Sequence, residues 1–216
     1  VENAAAGDRA AREEFGQRYL PVVRAYLCAR WNGRLSADEL EDAVQEVFVA
    51  FLGENGVFER MRPGRDEPFR PLLYGIVRNM ALRVEQARLR KLDSPGTESF
   101  RADENAASEA SLSRVFDRSW AESIMRDAVD RQEETARENG AGAVRRFELL
   151  RLTYDERLSM PEIAARWELE PGFLHKELAR AKSEFKDALK AVVAFHHPGA
   201  PEVVETECRE LLILLE

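Results

Sequence analysis

The chain has 216 residues, 44% of them hydrophobic, a formal net charge of -8 and a pI near 5.2. That length allows one domain or two small ones, and the acidic balance argues against a free-standing DNA binder, which is usually basic, though not against a subunit that meets DNA inside a larger complex. Cys28 and Cys208 are too few and too distant for a disulfide framework, so a reducing cytoplasm is the expected setting, and the chain has neither a run near the ~20 apolar residues of a membrane span nor a signal-peptide pattern in its first residues.

Asp8 to Arg30 reads as a helix, with Phe15, Tyr19, Val22, Val23, Tyr26 and Leu27 on one face. Pro21 removes one backbone bond and should bend it. Trp31-Asn32-Gly33 stops it. Asp38 to Leu52 is the cleanest amphipathic helix: Leu40, Val44, Val47, Phe48, Phe51 and Leu52 form its apolar stripe. Asp42, Gln45 and Glu46 lie off that stripe on an acidic, amide-bearing surface. Residues 53–68 break regular structure with glycine, proline and charge, leaving room for one short helix around Val57 to Met61.

Phe69 to Lys91 is a third long helix, with Phe69, Leu72, Leu73, Ile76, Val77, Met80, Val84 and Ala87 as its apolar face. Arg70, Arg78, Arg83, Arg88, Arg90 and Lys91 oppose only Glu85, a local excess of five positive charges in an acidic protein. Asn79, Arg83, Gln86 and Arg90 recur at i, i+4, i+7 and i+11, one polar line able to donate to bases and phosphates, with Tyr74 and Phe69 expected close to it. A solvated basic face is the plainer alternative, but this segregation of charge points to an anionic partner.

From Leu92 to about Ser111 periodicity disappears and Ser, Gly, Pro, Ala and acidic residues dominate, which predicts a flexible linker. Helix resumes from Leu112 to about Asn139, with Val115, Phe116, Trp120, Ile124 and Ala128 inward and Val129 a further candidate for that side. Asn139-Gly140 ends it. Gly142 to Tyr154 is a further helix with Val144, Phe147, Leu150 and Tyr154 inward.

Leu158 to Leu189 then reads as a helix-turn-helix. Ser159 and Glu162 have capping-box spacing, and Leu158 with Ile163 can close a hydrophobic staple over that cap. The first helix should end near Glu168, and Pro171 suits the first position of the second helix, where its missing N–H costs nothing. Two capped helices joined by so short a turn can set the second into a major groove; an ordinary helical hairpin in an all-helical core is the other reading. Glu162, Glu168, Glu170, Glu177, Glu184 and Asp187 offset Arg166, Lys176, Arg180, Lys182 and Lys186, so this helix would not grip phosphates unaided. Pro198-Gly199 stops the long helix. Pro201 to Leu215 forms a last amphipathic helix whose leucines, Leu211, Leu212 and Leu214 among them, must be covered.

The order of these parts is similar to that of extracytoplasmic-function sigma factors of the sigma-70 superfamily. Asp42-Ala-Val-Gln-Glu-Val-Phe-Val-Ala-Phe-Leu52 resembles their region 2.2, Phe69-Arg-Pro-Leu-Leu-Tyr-Gly-Ile-Val-Arg-Asn-Met-Ala-Leu82 their region 2.4, and Leu158-Ser-Met-Pro-Glu-Ile-Ala-Ala-Arg-Trp167 with Pro171-Gly172 their region 4. Phe116-Asp-Arg-Ser-Trp-Ala121 and the tail from Pro198 further resemble a planctomycete-type branch with a C-terminal extension. Glu168 stands where the family commonly has a turn glycine, Phe173 replaces a small threonine, and Glu177 and Glu184 occupy positions that are often basic.

The resemblance implies an all-α protein of two small helical domains joined by a flexible linker: residues 1–91 as region 2, 92–111 as linker, 112–195 as region 4, and 196–216 as an extension. It implies a non-enzymatic, cytoplasmic transcription factor without cofactor or metal, one that brings RNA polymerase core to promoters. Asp42, Gln45 and Glu46 would bind the clamp helices of the largest polymerase subunit. The loop from Gly56 to Pro68 and Arg70, Arg78, Asn79, Arg83, Gln86 and Arg90 would engage the -10 element. Gly172, Phe173, His175, Lys176 and Arg180 would contact the -35 element. An anti-sigma protein is a further partner of this class. The alternative is a two-domain helical regulator that binds DNA or protein without polymerase. An enzyme is disfavoured by the lack of a phosphate loop, metal spacing or nucleophile constellation; the pair His196-His197 alone has no partner at ligand spacing.

Overall fold

The computed structural model describes residues 9–53, 69–92, 107–196 and 200–215. Among them are eight α-helices and no strand: α1 (Arg9–Trp31), α2 (Ala37–Leu52), α3 (Phe69–Leu92), α4 (Glu109–Glu138), α5 (Ala141–Tyr154), α6 (Met160–Trp167), α7 (Pro171–His196) and α8 (Pro201–Ile213). The expected all-α class is what forms. The loop from Gly56 to Pro68, the short helix expected inside it, and most of the 92–111 linker lie outside the described residues. No described helix is long and apolar enough to cross a membrane.

The chain divides into two compact units, the first from Val1–Ser123, His196–Pro198 and Leu211–Glu216, the second from Ile124–Phe195 and Gly199–Glu210. The division falls within α4. Composition had placed the linker up to residue 111, but helix already begins at Glu109, where Ser108 Oγ accepts from the Ser111 N–H at 3.1 Å. The front of α4 belongs to the first unit because its apolar stripe, Leu112, Phe116 and Trp120, is buried among that unit's aromatics.

In the first unit, Tyr19, Val22, Val23, Tyr26 and Leu27 of α1 are fully buried, as the periodicity of this helix requires. Tyr19 stacks on Trp120 (centroids 5.7 Å apart), Phe15 meets Phe69 edge-on, and Tyr74 meets Phe116 at 5.1 Å. The edge of His196 also packs against Tyr19 and Trp120. α1 runs through Pro21 without interruption, and two serines of α4 bind its carbonyls there: Ser119 Oγ donates to Pro21 O and Ser123 Oγ to Arg18 O. Asn32 and Gly33 end α1 in the left-handed region (φ 42° and 79°), which asparagine and glycine tolerate. α2 opens on a capping box of Ser36 and Glu39, a signal present in the sequence two residues before the Asp38 start read from periodicity.

The second unit is built around the helix-turn-helix. Leu149, Leu152, Ile163, Ala164, Leu174 and Leu178 form its core, with Leu158, Trp167 and Leu169 packed against it. The reciprocal cap of Ser159 and Glu162 forms as expected, α6 is eight residues long, and α7 starts on Pro171. Burial corrects the inward assignment at several positions: Val129, Val144, Tyr154 and Leu212 are exposed. Tyr154 instead offers its ring face to Lys182 Nζ at 5.4 Å. On α8, Val204 and Cys208 are buried while Glu205 pairs with Lys186 and Lys190 of α7. Burial raises the Cys208 thiol pKa, which keeps it protonated and inert.

The turn between α6 and α7 carries a testable strain. Glu168 adopts φ 54°, ψ 45°, the left-handed conformation that disfavours a residue with a Cβ. Glu168→Gly is expected to stabilise the second unit by about 0.5–1 kcal/mol, relief of that strain outweighing the added freedom of the unfolded chain. Urea unfolding of the variant beside the parent measures it.

Candidate nucleic-acid and protein interfaces

Two surfaces of the first unit coincide with the residues singled out by sequence. On α2, Asp42, Gln45 and Glu46 are all exposed, while Ala43, Val44, Val47 and Phe51 are buried. The helix is therefore clamped by one face and presents carboxylates and an amide on the other. Beside that face lies a groove of about 610 Å³ between α2 and α3. Its floor includes Ala43, Met80 and Val84; Asp42 and Glu46 line one wall, Arg83 and Arg88 the other. Val49, 66% exposed, stands at its edge. Such a groove, apolar below and oppositely charged on its two rims, suits an amphipathic helix.

On α3, Asn79, Arg83, Gln86 and Arg90 are exposed along one line, as their spacing predicts. Among the described residues no carboxylate forms an ion pair with Arg83 or Arg90. The other basic residues are engaged within the unit. Arg70 pairs with Asp117 at 2.6 Å, Arg78 with Glu109 at 3.0 Å, and Arg88 with Glu39 at 2.8 Å while also donating to Arg34 O. The excess of positive charge read from α3 alone is thus largely answered by acids from α2 and α4. Phe69 and Tyr74 are not beside the polar line: Phe69 is buried in the aromatic core, and the Tyr74 hydroxyl reaches Glu109 at 3.5 Å.

Glu85 is internal to the unit. It accepts from Arg30 Nε at 2.7 Å, Arg30 Nη2 at 3.1 Å and Trp31 Nε1 at 3.0 Å. Arg30 also donates to the Tyr26 hydroxyl and to Glu109. Hydrogen bonding to Glu85 raises the Arg30 pKa, and burial raises that of Tyr26, so the cluster is a fixed cation beside a neutral phenol. Sequence reasoning missed this network because its partners lie on α1 and α3, far apart along the chain.

Glu109 titrates below the ordinary carboxylate value, chiefly because Arg78 donates to its ionised form. A carboxyl whose folded pKa is depressed adds stability above its unfolded pKa and loses it as pH falls through the folded one. The first unit should therefore lose part of its resistance to urea as pH drops below the ordinary value of 4.5. Glu109→Gln is expected to flatten that acid limb, which unfolding midpoints measured across pH 3 to 7 (roughly the carboxylate range) would check.

In the second unit, Gly172, Phe173, His175, Lys176 and Arg180 are all exposed on the first turns of α7, and Phe173 is 49% exposed. Arg180 is held by Glu177 at 2.7 Å. The acids that seemed to spoil this helix for DNA are drawn aside: Glu177 and Glu184 both pair with Arg146 of α5, and the Glu177 side chain is only 15% exposed. The face carrying Gly172, Phe173 and Lys176 is accordingly less acidic than the composition of α7 suggests. Arg145 lies over the Trp167 ring at 5.1 Å, fixing the end of α6.

Scanned against protein-family models, the chain matches none, and no curated protein matches it.

Proposed function

We propose that the chain is an extracytoplasmic-function type sigma factor, a dissociable subunit that brings bacterial RNA polymerase core to promoters. The observation that carries this reading is the exposed Asp42–Gln45–Glu46 face on α2, set beside a helix-sized groove and next to the exposed Asn79–Arg83–Gln86–Arg90 line of α3. In this reading the acidic face and groove take a helix of the polymerase clamp. The α3 line takes the opened -10 strand, its arginines on the backbone and its amides on bases. Unstacking a base costs a few kcal/mol, and contacts made jointly with polymerase offset it. The N-terminal turns of α7 enter the -35 major groove, where Gly172 allows close backbone approach, Lys176 and Arg180 reach phosphates or guanine edges, and Phe173 meets a thymine methyl.

The net charge of -8 supports the division of labour: a protein this acidic binds DNA poorly alone and acts when polymerase supplies the remaining phosphate contacts. Fluorescence anisotropy of the labelled chain against purified bacterial core polymerase tests the reading. Saturable binding at nanomolar to low-micromolar concentration is expected. Absence of core binding, together with selective binding of duplex DNA by the chain alone, would replace it with a polymerase-independent regulator.

A further inference from the structure

Along α3, Arg70, Tyr74 and Arg78 follow at i, i+4 and i+8 and so share one face. Along the front of α4, Glu109, Ser113 and Asp117 follow with the same spacing. The two helices meet in opposite directions within the first unit, so that Arg70 faces Asp117 and Arg78 faces Glu109. Arg70 binds one carboxylate oxygen through both Nε (3.1 Å) and Nη2 (2.6 Å). Ser113 Oγ donates to the other oxygen of Asp117 at 3.3 Å, which holds that carboxylate in place. Arg78 Nε donates to Glu109 Oε2 at 3.0 Å, and Arg30 Nη1 to Oε1 at 3.1 Å.

We propose that the front of α4 is a built-in competitor for nucleic acid: Asp117 and Glu109 stand where backbone phosphates would stand on Arg70 and Arg78, and withhold this pair of arginines until a strand displaces them. The inference rests on the reading of α3 as the strand-binding helix. Guanidinium presents the same donor fork to a carboxylate as to a phosphate, so one can exchange for the other on the same atoms. The outer rung is open to exchange, since the Arg78 and Glu109 side chains are 40% and 51% exposed. Ion pairs this exposed add little net stability, so a strand held in place by polymerase can displace them. The inner rung, Arg70 with Asp117, is more covered and would yield second. Arg83 and Arg90 are exposed and, among the described residues, meet no such competitor.

The test is binding of a fluorescein-labelled oligothymidylate, single-stranded, to the full chain over a salt series. The parent is compared with Glu109→Gln/Asp117→Asn and with a control, Glu122→Gln/Glu133→Gln. The control removes the same formal charge from α4, at acids that, among the described residues, pair along that helix with Arg118 and Arg137. The ladder variant should bind about tenfold tighter at low salt, and its dependence of log K on log salt should steepen by about 1.4, the amount expected for two more phosphate contacts on a single strand. The control should change by less than about twofold. Affinity for the ladder variant equal to the control, or tighter binding with an unchanged salt slope, overturns the proposal. If the double variant does not fold, Glu109→Gln alone, at the exposed rung, should show about half that change in slope, and an unchanged slope overturns the proposal equally. Core-polymerase binding of the parent, measured separately, distinguishes failure of this inference from failure of the sigma-factor reading.

Discussion

Glu85→Ala is expected to lower the unfolding free energy of the first unit by about 3 kcal/mol, more than loss of any of the exposed ion pairs of that unit. The Arg30 side chain is 11% exposed and the Glu85 side chain 25%, so the pair is largely removed from solvent. Glu85 accepts two bonds from that guanidinium and one from the Trp31 indole. Deleting one partner of a covered ion pair leaves the other charge uncompensated, which costs more than the pair contributed when intact. Arg30 keeps Glu109 and Tyr26 as partners, which holds the loss to the low end of the usual range. By contrast Arg88→Ala, which breaks a half-exposed pair with Glu39, should cost no more than about 1 kcal/mol. Urea titration followed by the near-ultraviolet signal of the tryptophans compares the two. A Glu85→Ala loss as small as that of Arg88→Ala would show that the cluster is wetter than its geometry indicates.

The second large effect is on association rather than folding. Asp42→Ala/Gln45→Ala/Glu46→Ala is expected to weaken binding to polymerase core by at least about a hundredfold, with unfolding free energy within about 0.5 kcal/mol of the parent. The three side chains are exposed, and the buried stripe of α2 on its other face is left untouched. Loss of two of the three carboxylates on the α2 rim of the groove leaves only Glu39, which is already engaged by Arg88, while Arg83 remains on the other rim, which weakens the complementarity that orients a partner helix. Affinity unchanged within twofold, in a variant of parental stability, would place the core-binding surface elsewhere.

Where local chemistry decides the structure, the sequence was readable. Ser159 with Glu162 caps α6, Pro171 begins α7, and the stripes of α1 and α2 face inward because each depends only on neighbours three or four residues away. On α3 Phe69, Leu73 and Val77 are buried as expected, Ala81 joins them, and Ala87 at the far end of the expected face is exposed. What could not be read depends on which element lies opposite. The stripe of α4 is equally periodic in front of and behind Ser123, so nothing local reports that its front belongs to the first unit. The same blindness made α3 look like an unopposed basic helix, when Glu39, Glu109 and Asp117 answer three of its arginines. It also made α7 look acidic on its outer face, when Glu177 and Glu184 are turned to Arg146. Tyr154 and Val144 were assigned inward from helical spacing alone, but on α5 Ala143, Phe147, Leu149 and Leu152 take the inward face and leave these two outside.

The candidate site divides along the same line. Exposure of Asp42, Gln45 and Glu46, and of the Asn79 to Arg90 line, follows from periodicity, because whatever lies off a buried stripe faces out. The engagement of Arg70 and Arg78 does not follow, since it requires a match of spacing between two helices that only the fold brings together.

The most direct test of the account is run-off transcription by purified core polymerase over a library of randomised promoters, with and without the chain. Transcripts are expected to appear only when the chain is added and to share two sequence elements at a fixed separation. Substitutions at Arg83 and Gln86 should alter preference at the downstream element, and substitutions at Phe173 and Lys176 preference at the upstream one. Transcription that is unaffected by the chain, or stimulated without sequence preference, would contradict it.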